Sequence, residues 1–106
     1  MICKTIRRFR ISSKYKGYPI IVDAIEMYIV NNGKSIQITK DIYPTLAQKY
    51  NMSLSSVERN IRTIVEVCWQ NDKCSVEEIL GYKTNKCPSN SIFLDAISYH
   101  ILNTCK

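Results

Sequence analysis

Apolar residues recur along this chain at intervals of three and four, with no run of strict alternation, so the pattern predicts helices and no strands. Ile2, Ile6 and Phe9 line one side of a short first helix, and a polar connection follows over 11–17. Pro19 suits the first turn of a second helix. In that helix Ile20, Ala24, Met27, Tyr28 and Asn31 fall on one arc, with Asp23 and Glu26 facing away. Asn32-Gly33 supplies a left-handed cap. Pro44 has no backbone N–H to give, which places the start or a kink of a third helix near it. Asn51-Met52-Ser53 breaks that helix, and Ser53 is a good N-cap for a fourth over 54–70. Ser75-Val76-Glu77-Glu78 has the S-x-x-E form of a capping box, opening a short fifth helix that Gly81 stops. Ser89 or Asn90 caps a sixth, which carries Ile92, Phe93, Ala96, Ile97, His100 and Ile101. The expectation is an all-α, six-helix single domain over 1–106. Its parts are a basic first helix and connection (1–16), a helix-turn-helix of the third and fourth helices (42–70), and a C-terminal helix (89–105).

The fourth helix has the clearest two-sidedness. At about 100° per residue, Val57, Ile61, Ile64, Val65 and Cys68 occupy a core-facing arc of roughly 100°. Ser55, Arg59, Arg62 and Glu66 lie opposite, with Glu58 at the border. Leu46-Ala47, Asn51, Ser53 and Val57 have the spacing of a helix-turn-helix, in which a small residue lets the second helix approach. Arg can fork two hydrogen bonds to guanine O6 and N7, and Glu can accept from the cytosine amino group, so the outward face suits a major-groove reader. The same residues also suit plainer roles. Glu58/Arg62 and Arg62/Glu66 are i,i+4 pairs of the kind that solvated helices carry, and Ser55 with Glu58 has the form of a capping box.

Charge changes the picture by its location. The chain of 106 residues carries 15 Lys plus Arg, 9 Asp plus Glu and a net charge of +6. Residues 1–16 hold Lys4, Arg7, Arg8, Arg10, Lys14 and Lys16 and no acid, so the entire excess is N-terminal. The candidate reading face nets to zero, with Arg59 and Arg62 against Glu58 and Glu66. A one-ended basic excess points to a polyanion partner. No apolar run approaches the roughly 18–20 residues of a membrane span. The basic start and the apolar stretch after Pro19 lack a cleavage site and are interrupted by Asp23 and Glu26, so the segment reads as structure in a cytoplasmic protein. Five cysteines at irregular spacing form no C-x-x-C pair, and reduced, packed thiols are expected rather than a metal site built from Cys68, Cys74, Cys87, His100 and Cys105. His100 and Trp69 read as packing residues. Tyr15 and Tyr18, interleaved with Lys14 and Lys16, suit base stacking or, more simply, packing of the second helix. No nucleophile motif or glycine-rich phosphate loop points to an enzyme, and no cofactor is expected.

Several short segments together resemble one family. They are Lys16-Gly17-Tyr18, Ile38-Thr39-Lys40, Tyr43-Pro44, Ala47-x-Lys49-Tyr50-Asn51, Val57-Glu58-Arg59-x-Ile61-Arg62, Glu66-Val67-x-Trp69, Gly81-Tyr82 and Pro88-x-Asn90-Ser91-x-Phe93. They are collinear with the C-terminal DNA-binding domain of the sporulation initiation response regulator, the stage-zero sporulation protein A family. The resemblance implies a transcription regulator of double-stranded DNA whose fourth helix enters the major groove of tandem promoter elements, with copies touching through the last helix. Carried over by residue, Glu58 and Arg59 are base-reading and Arg62 contacts bases or phosphate. Ser55, Ser56, Arg7, Arg8, Lys14 and Lys16 are placed as phosphate or flanking contacts. The stretch 70–82, with Asp72, Glu77 and Glu78, matches the family's contact with the RNA polymerase sigma subunit. Two departures stand out: Ser56 replaces a basic residue and Asn60 a small one. The family's receiver domain is not seen before Met1, which leaves a piece of a longer regulator or a stand-alone domain. The rival expectation is a receiver-less interaction module that pairs with a full-length regulator or the polymerase without reading DNA.

Overall fold

A computed structural model describes residues 6, 9, 11, 14–31 and 37–104. Among them are five α-helices and no strand. They are α1 (Gly17–Asn31), α2 (Tyr43–Lys49), α3 (Leu54–Asn71), α4 (Lys73–Leu80) and α5 (Asn90–Thr104). The basic first helix expected at the N-terminus lies mostly outside the described residues, Arg7 and Arg8 included, as does the cap expected at Asn32-Gly33. Of the N-terminal segment Ile6, Phe9 and Ile11 are described, and all three are buried.

Local chemistry sets the boundaries. A single π-helical turn, Ile38–Ile42, runs directly into α2, where Pro44 sits in the first turn and its missing N–H costs nothing. Asn51, at φ 52°, takes the left-handed conformation that turns the chain out of α2. Ser53 then caps α3, its Oγ accepting from Ser56 N at 3.1 Å. This is the cap expected at Ser53, and it leaves the alternative capping box of Ser55 with Glu58 unused. The start of α4 differs from expectation. Asp72 is the cap, accepting from Ser75 N at 3.1 Å, so Ser75 lies inside the helix and its S-x-x-E string is not a capping box. Gly81 ends α4 at φ 87°, as a left-handed cap.

The core lies between α1, α3 and α5, with α2 packed against α3 and α4 against both α3 and α5. From α3 it receives Val57, Ile61, Ile64, Val65 and Cys68, the arc that the periodicity predicts. The other two long helices bury part of the expected arcs, Ile20 and Ala24 in α1 and Phe93, Ile97 and Ile101 in α5, but not all of them, and bury further residues besides. In α1 Ile21 and Ile25 are fully buried, whereas Asn31 is exposed and turns its amide back to Met27 O at 2.8 Å. Asp23 does not face away either. Its carboxylate accepts from Lys49 Nζ at 2.7 Å and from the Tyr50 hydroxyl, tying α1 to the end of α2. In α5 Leu94 and Ser98 are buried with Phe93, Ile97 and Ile101, while Ile92 is half exposed. Both helices are apolar on most sides, so periodicity alone does not choose the buried one.

Candidate nucleic-acid interface

The outward face of α3 is built on its buried face. Because Val57, Ile61, Ile64 and Val65 lock the helix into the core, Ser55, Arg59, Arg62 and Glu66 project into solvent, and Glu58 sits half-buried at the border. An 18-residue helix extends about 27 Å, and a helix of this diameter fits the roughly 12 Å wide major groove. Arg62 and Glu58 form an ion pair at 3.4 Å. That is longer than a charge-assisted hydrogen bond of about 2.7–2.9 Å, so the pair is loose and contributes only a few tenths of a kcal/mol.

The N-terminus of α3 carries a serine cluster. Ser53 Oγ donates to Ser56 Oγ at 2.9 Å and lies 3.3 Å from Ser55 Oγ. Ser56 is therefore drawn into the cap, while Ser55 remains exposed. Asn60 turns its amide back to Ser56 O at 2.8 Å and presents no extended side chain.

Two elements flank the outward face. On one side is the chain leading into α1. Asn71 Nδ2 donates to Phe9 O at 2.8 Å near the C-terminal end of α3. Gly17 lies so close to the middle of α3 that a Cβ there would stand 2.5 Å from Asn60 O and 3.0 Å from Ile64 Cγ1. Phe9 and Gly17 thus meet α3 near residues 71 and 60, about 16 Å apart along its axis. Lys14, Tyr15 and Lys16 immediately precede Gly17 and are all exposed. Tyr18 is buried, so packing rather than base stacking is its role.

On the other side is a groove of about 450 Å³ between α3 and the chain around the start of α5. Glu58, Arg62 and Glu66 form one wall, Thr39 and Tyr43 a second, and Ser89, Asn90 and Ser91 a third. Thr39, Tyr43 and Asn90 belong to segments that resemble the family, yet no sequence pattern assigns them a role. The hydrogen bonds that bring Tyr43 and Asn90 here cross 32 and 47 residues of chain and leave no local pattern. Burial pushes the Tyr43 phenol up from its ordinary value, partly offset by its hydrogen bond with Asn90.

The acidic residues beyond α3 are differently placed. Asp72 caps α4 and also accepts from Ser75 Oγ at 2.7 Å. Glu77 accepts from Thr84 N at 2.8 Å and holds the 82–88 loop against α4. Glu78 is exposed to a greater degree, on the rim of a shallow depression with Cys74, Tyr82 and Lys83. Trp69 is partly buried against the core, and Lys73 Nζ stands 5.4 Å from its ring centre. Burial pushes the Cys68 thiol up to about 12, the state of a packed, unreactive sulfur. Among the described residues no group of three His, Cys, Asp or Glu is placed to hold a metal, and no helix is long and apolar enough to cross a membrane.

Residues 2–101 match the family described as sporulation initiation factor Spo0A C terminal. The match spans nearly the whole chain, including the groove and both flanks of α3. The chain belongs to the family of Spo0A C-terminal domains, the DNA-binding effector domain of a sporulation response regulator.

Proposed function

We propose that α2, the turn 50–53 and α3 form a helix-turn-helix, and that α3 reads the major groove of double-stranded DNA in a sequence-specific manner. In this reading Arg59 and Glu58 address base edges and Arg62 addresses bases or phosphate, with Ser55 and Ser56 near the backbone at the helix start. The observation that carries the proposal is the division of α3. Five buried side chains fix one face, and the opposite face offers two guanidinium forks and two carboxylates to solvent. That set can discriminate bases, yet its zero net charge supplies little phosphate affinity. The basic segment supplies it. Gly17 docks Lys14 and Lys16 beside α3, and Arg7 and Arg8 belong to the same charged stretch.

Pairing of copies on tandem promoter elements is assigned to α5, where Ile92 and Tyr99 stand exposed. Contact with the RNA polymerase sigma subunit is assigned to the acidic stretch after α3. Glu78 is its best-presented carboxylate, since Asp72 and Glu77 are engaged within the fold. The domain acts as a regulator and not as an enzyme, at the nucleoid in the cytoplasm. Selection of binding sites from a random DNA pool tests the reading. An enriched motif supports it, and the absence of any motif supports the interaction-module reading, in which the domain pairs with a regulator or polymerase without reading DNA.

A further inference from the structure

Asn90 is the first residue of α5 and is buried, with 8% of its surface exposed. Its Nδ2 donates to Tyr43 Oη at 2.9 Å and to Glu58 O at 3.1 Å. The Glu58 carbonyl can only accept, which fixes the end of the amide that faces it. One side chain therefore joins the first residue of α2, the start of α5 and the backbone of α3, directly behind the side chains of Glu58, Arg59 and Arg62. The Tyr43 hydroxyl also lies in the field of the Glu58 and Arg62 side chains. Asn90 Oδ1 is buried without a hydrogen-bond partner among the described residues. Leaving a buried acceptor unmatched is costly, so the amide is not placed there to maximise its own bonding.

Nor does α5 need this side chain in order to begin. Ser89 caps it, its Oγ accepting from Ile92 N at 3.3 Å and its carbonyl from Phe93 N at 2.9 Å. In the interior of α3 every carbonyl already has a helical partner. The bond from Asn90 to Glu58 O is thus an extra tether, applied at one point of the reading helix from an element 32 residues away.

We propose that Asn90 is a positioning residue for base recognition: through Glu58 O and the Tyr43 hydroxyl it fixes the rotation and depth at which α3 presents Glu58, Arg59 and Arg62. It touches no DNA itself. The inference rests on the reading of α3 as the recognition helix. A positioning residue raises discrimination between bases and leaves the phosphate contacts of the basic segment alone, because those depend on Lys14 and Lys16 on the opposite flank.

The test compares the wild-type chain with Asn90→Ala and Tyr43→Phe, using the wild-type selected site and the same site with its contacted bases exchanged. Circular dichroism first checks that each variant is helical. Asn90→Ala, which removes both bonds, is expected to lower the ratio of selected-site to exchanged-site affinity roughly tenfold, and Tyr43→Phe, which removes one, to lower it less. Affinity for non-specific DNA and its salt slope stay at wild-type values. The double variant loses no more than Asn90→Ala alone, because both act through one tether. If Asn90→Ala fails to fold, Tyr43→Phe still decides, since it removes only the hydroxyl. A ratio unchanged in the folded variants, or affinity falling equally on all DNA, overturns the positioning role and leaves the reading of α3 standing. A wild-type chain that selects no site overturns both.

Discussion

Arg59 and Tyr50 show how differently two side chains of one chain are tied to its fold. Arg59 is exposed, and what it does depends on what it meets outside. Tyr50 is fixed from inside: its hydroxyl donates to the Asp23 carboxylate, which also takes Lys49 Nζ. Burial first, and then the Asp23 carboxylate, pushes the Tyr50 phenol up from 10.0 to about 12. The native state keeps this proton where the unfolded chain has released it. The stabilisation is therefore complete below about pH 10 and is lost as pH rises toward 12. The thermal midpoint, followed by circular dichroism, is expected to fall across that interval and to fall less steeply in Tyr50→Phe. A fall of the same steepness in both chains would show that Tyr50 has no part in alkaline stability.

At the scale of elements, the close approach of α1 to α3 does the placing. Gly17 is required because any Cβ would meet the Asn60 carbonyl, a backbone atom that cannot move aside. Gly17→Ala is expected to cost about 1–3 kcal/mol, read as a lowered denaturant midpoint with the slope unchanged. A variant as stable as the wild type would show that the two helices part easily. How much of this architecture is legible beforehand depends on contrast between faces. The buried arc of α3 can be read residue by residue, because its apolar and charged positions divide sharply around the helix. The faces of α1 and α5 cannot, since both are apolar almost all round. Tertiary packing chose Ile21 and Ile25 in one, and Leu94 and Ser98 in the other. Caps were readable when a single candidate stood at the boundary, as at Ser53 and Gly81. At α4 two caps competed, and Asp72, three residues earlier, displaced the S-x-x-E string. Asn90 was invisible as a tether because its partners lie 32 and 47 residues away.

For the molecule as a whole, the charge arithmetic acquires a geometry. A net +6 concentrated in residues 1–16 would be irrelevant to α3 if that segment ran off the far side of the domain. The bond from Asn71 to Phe9 and the contact of Gly17 with Asn60 instead bring its described residues, with Lys14 and Lys16 among them, to the flank of the proposed reading helix. In the proposed reading, the neutral face selects the sequence and the basic flank supplies affinity. Replacing Lys14 and Lys16 together by Gln is therefore expected to weaken binding to all DNA alike. It should reduce the slope of log K against log salt by about 1 for each phosphate no longer neutralised, measured by titration at several salt concentrations. Weakening confined to one sequence would assign these lysines to base reading instead.

The central claim, that α3 reads bases through Arg59, is tested most directly by selecting binding sites from a random DNA pool with the wild-type chain and with Arg59→Ala. The wild type is expected to select a defined motif. The variant is expected to select the same motif relaxed at one or two positions, and to bind the wild-type site more weakly by about 1–3 kcal/mol. An identical motif at undiminished affinity from Arg59→Ala would contradict the claim.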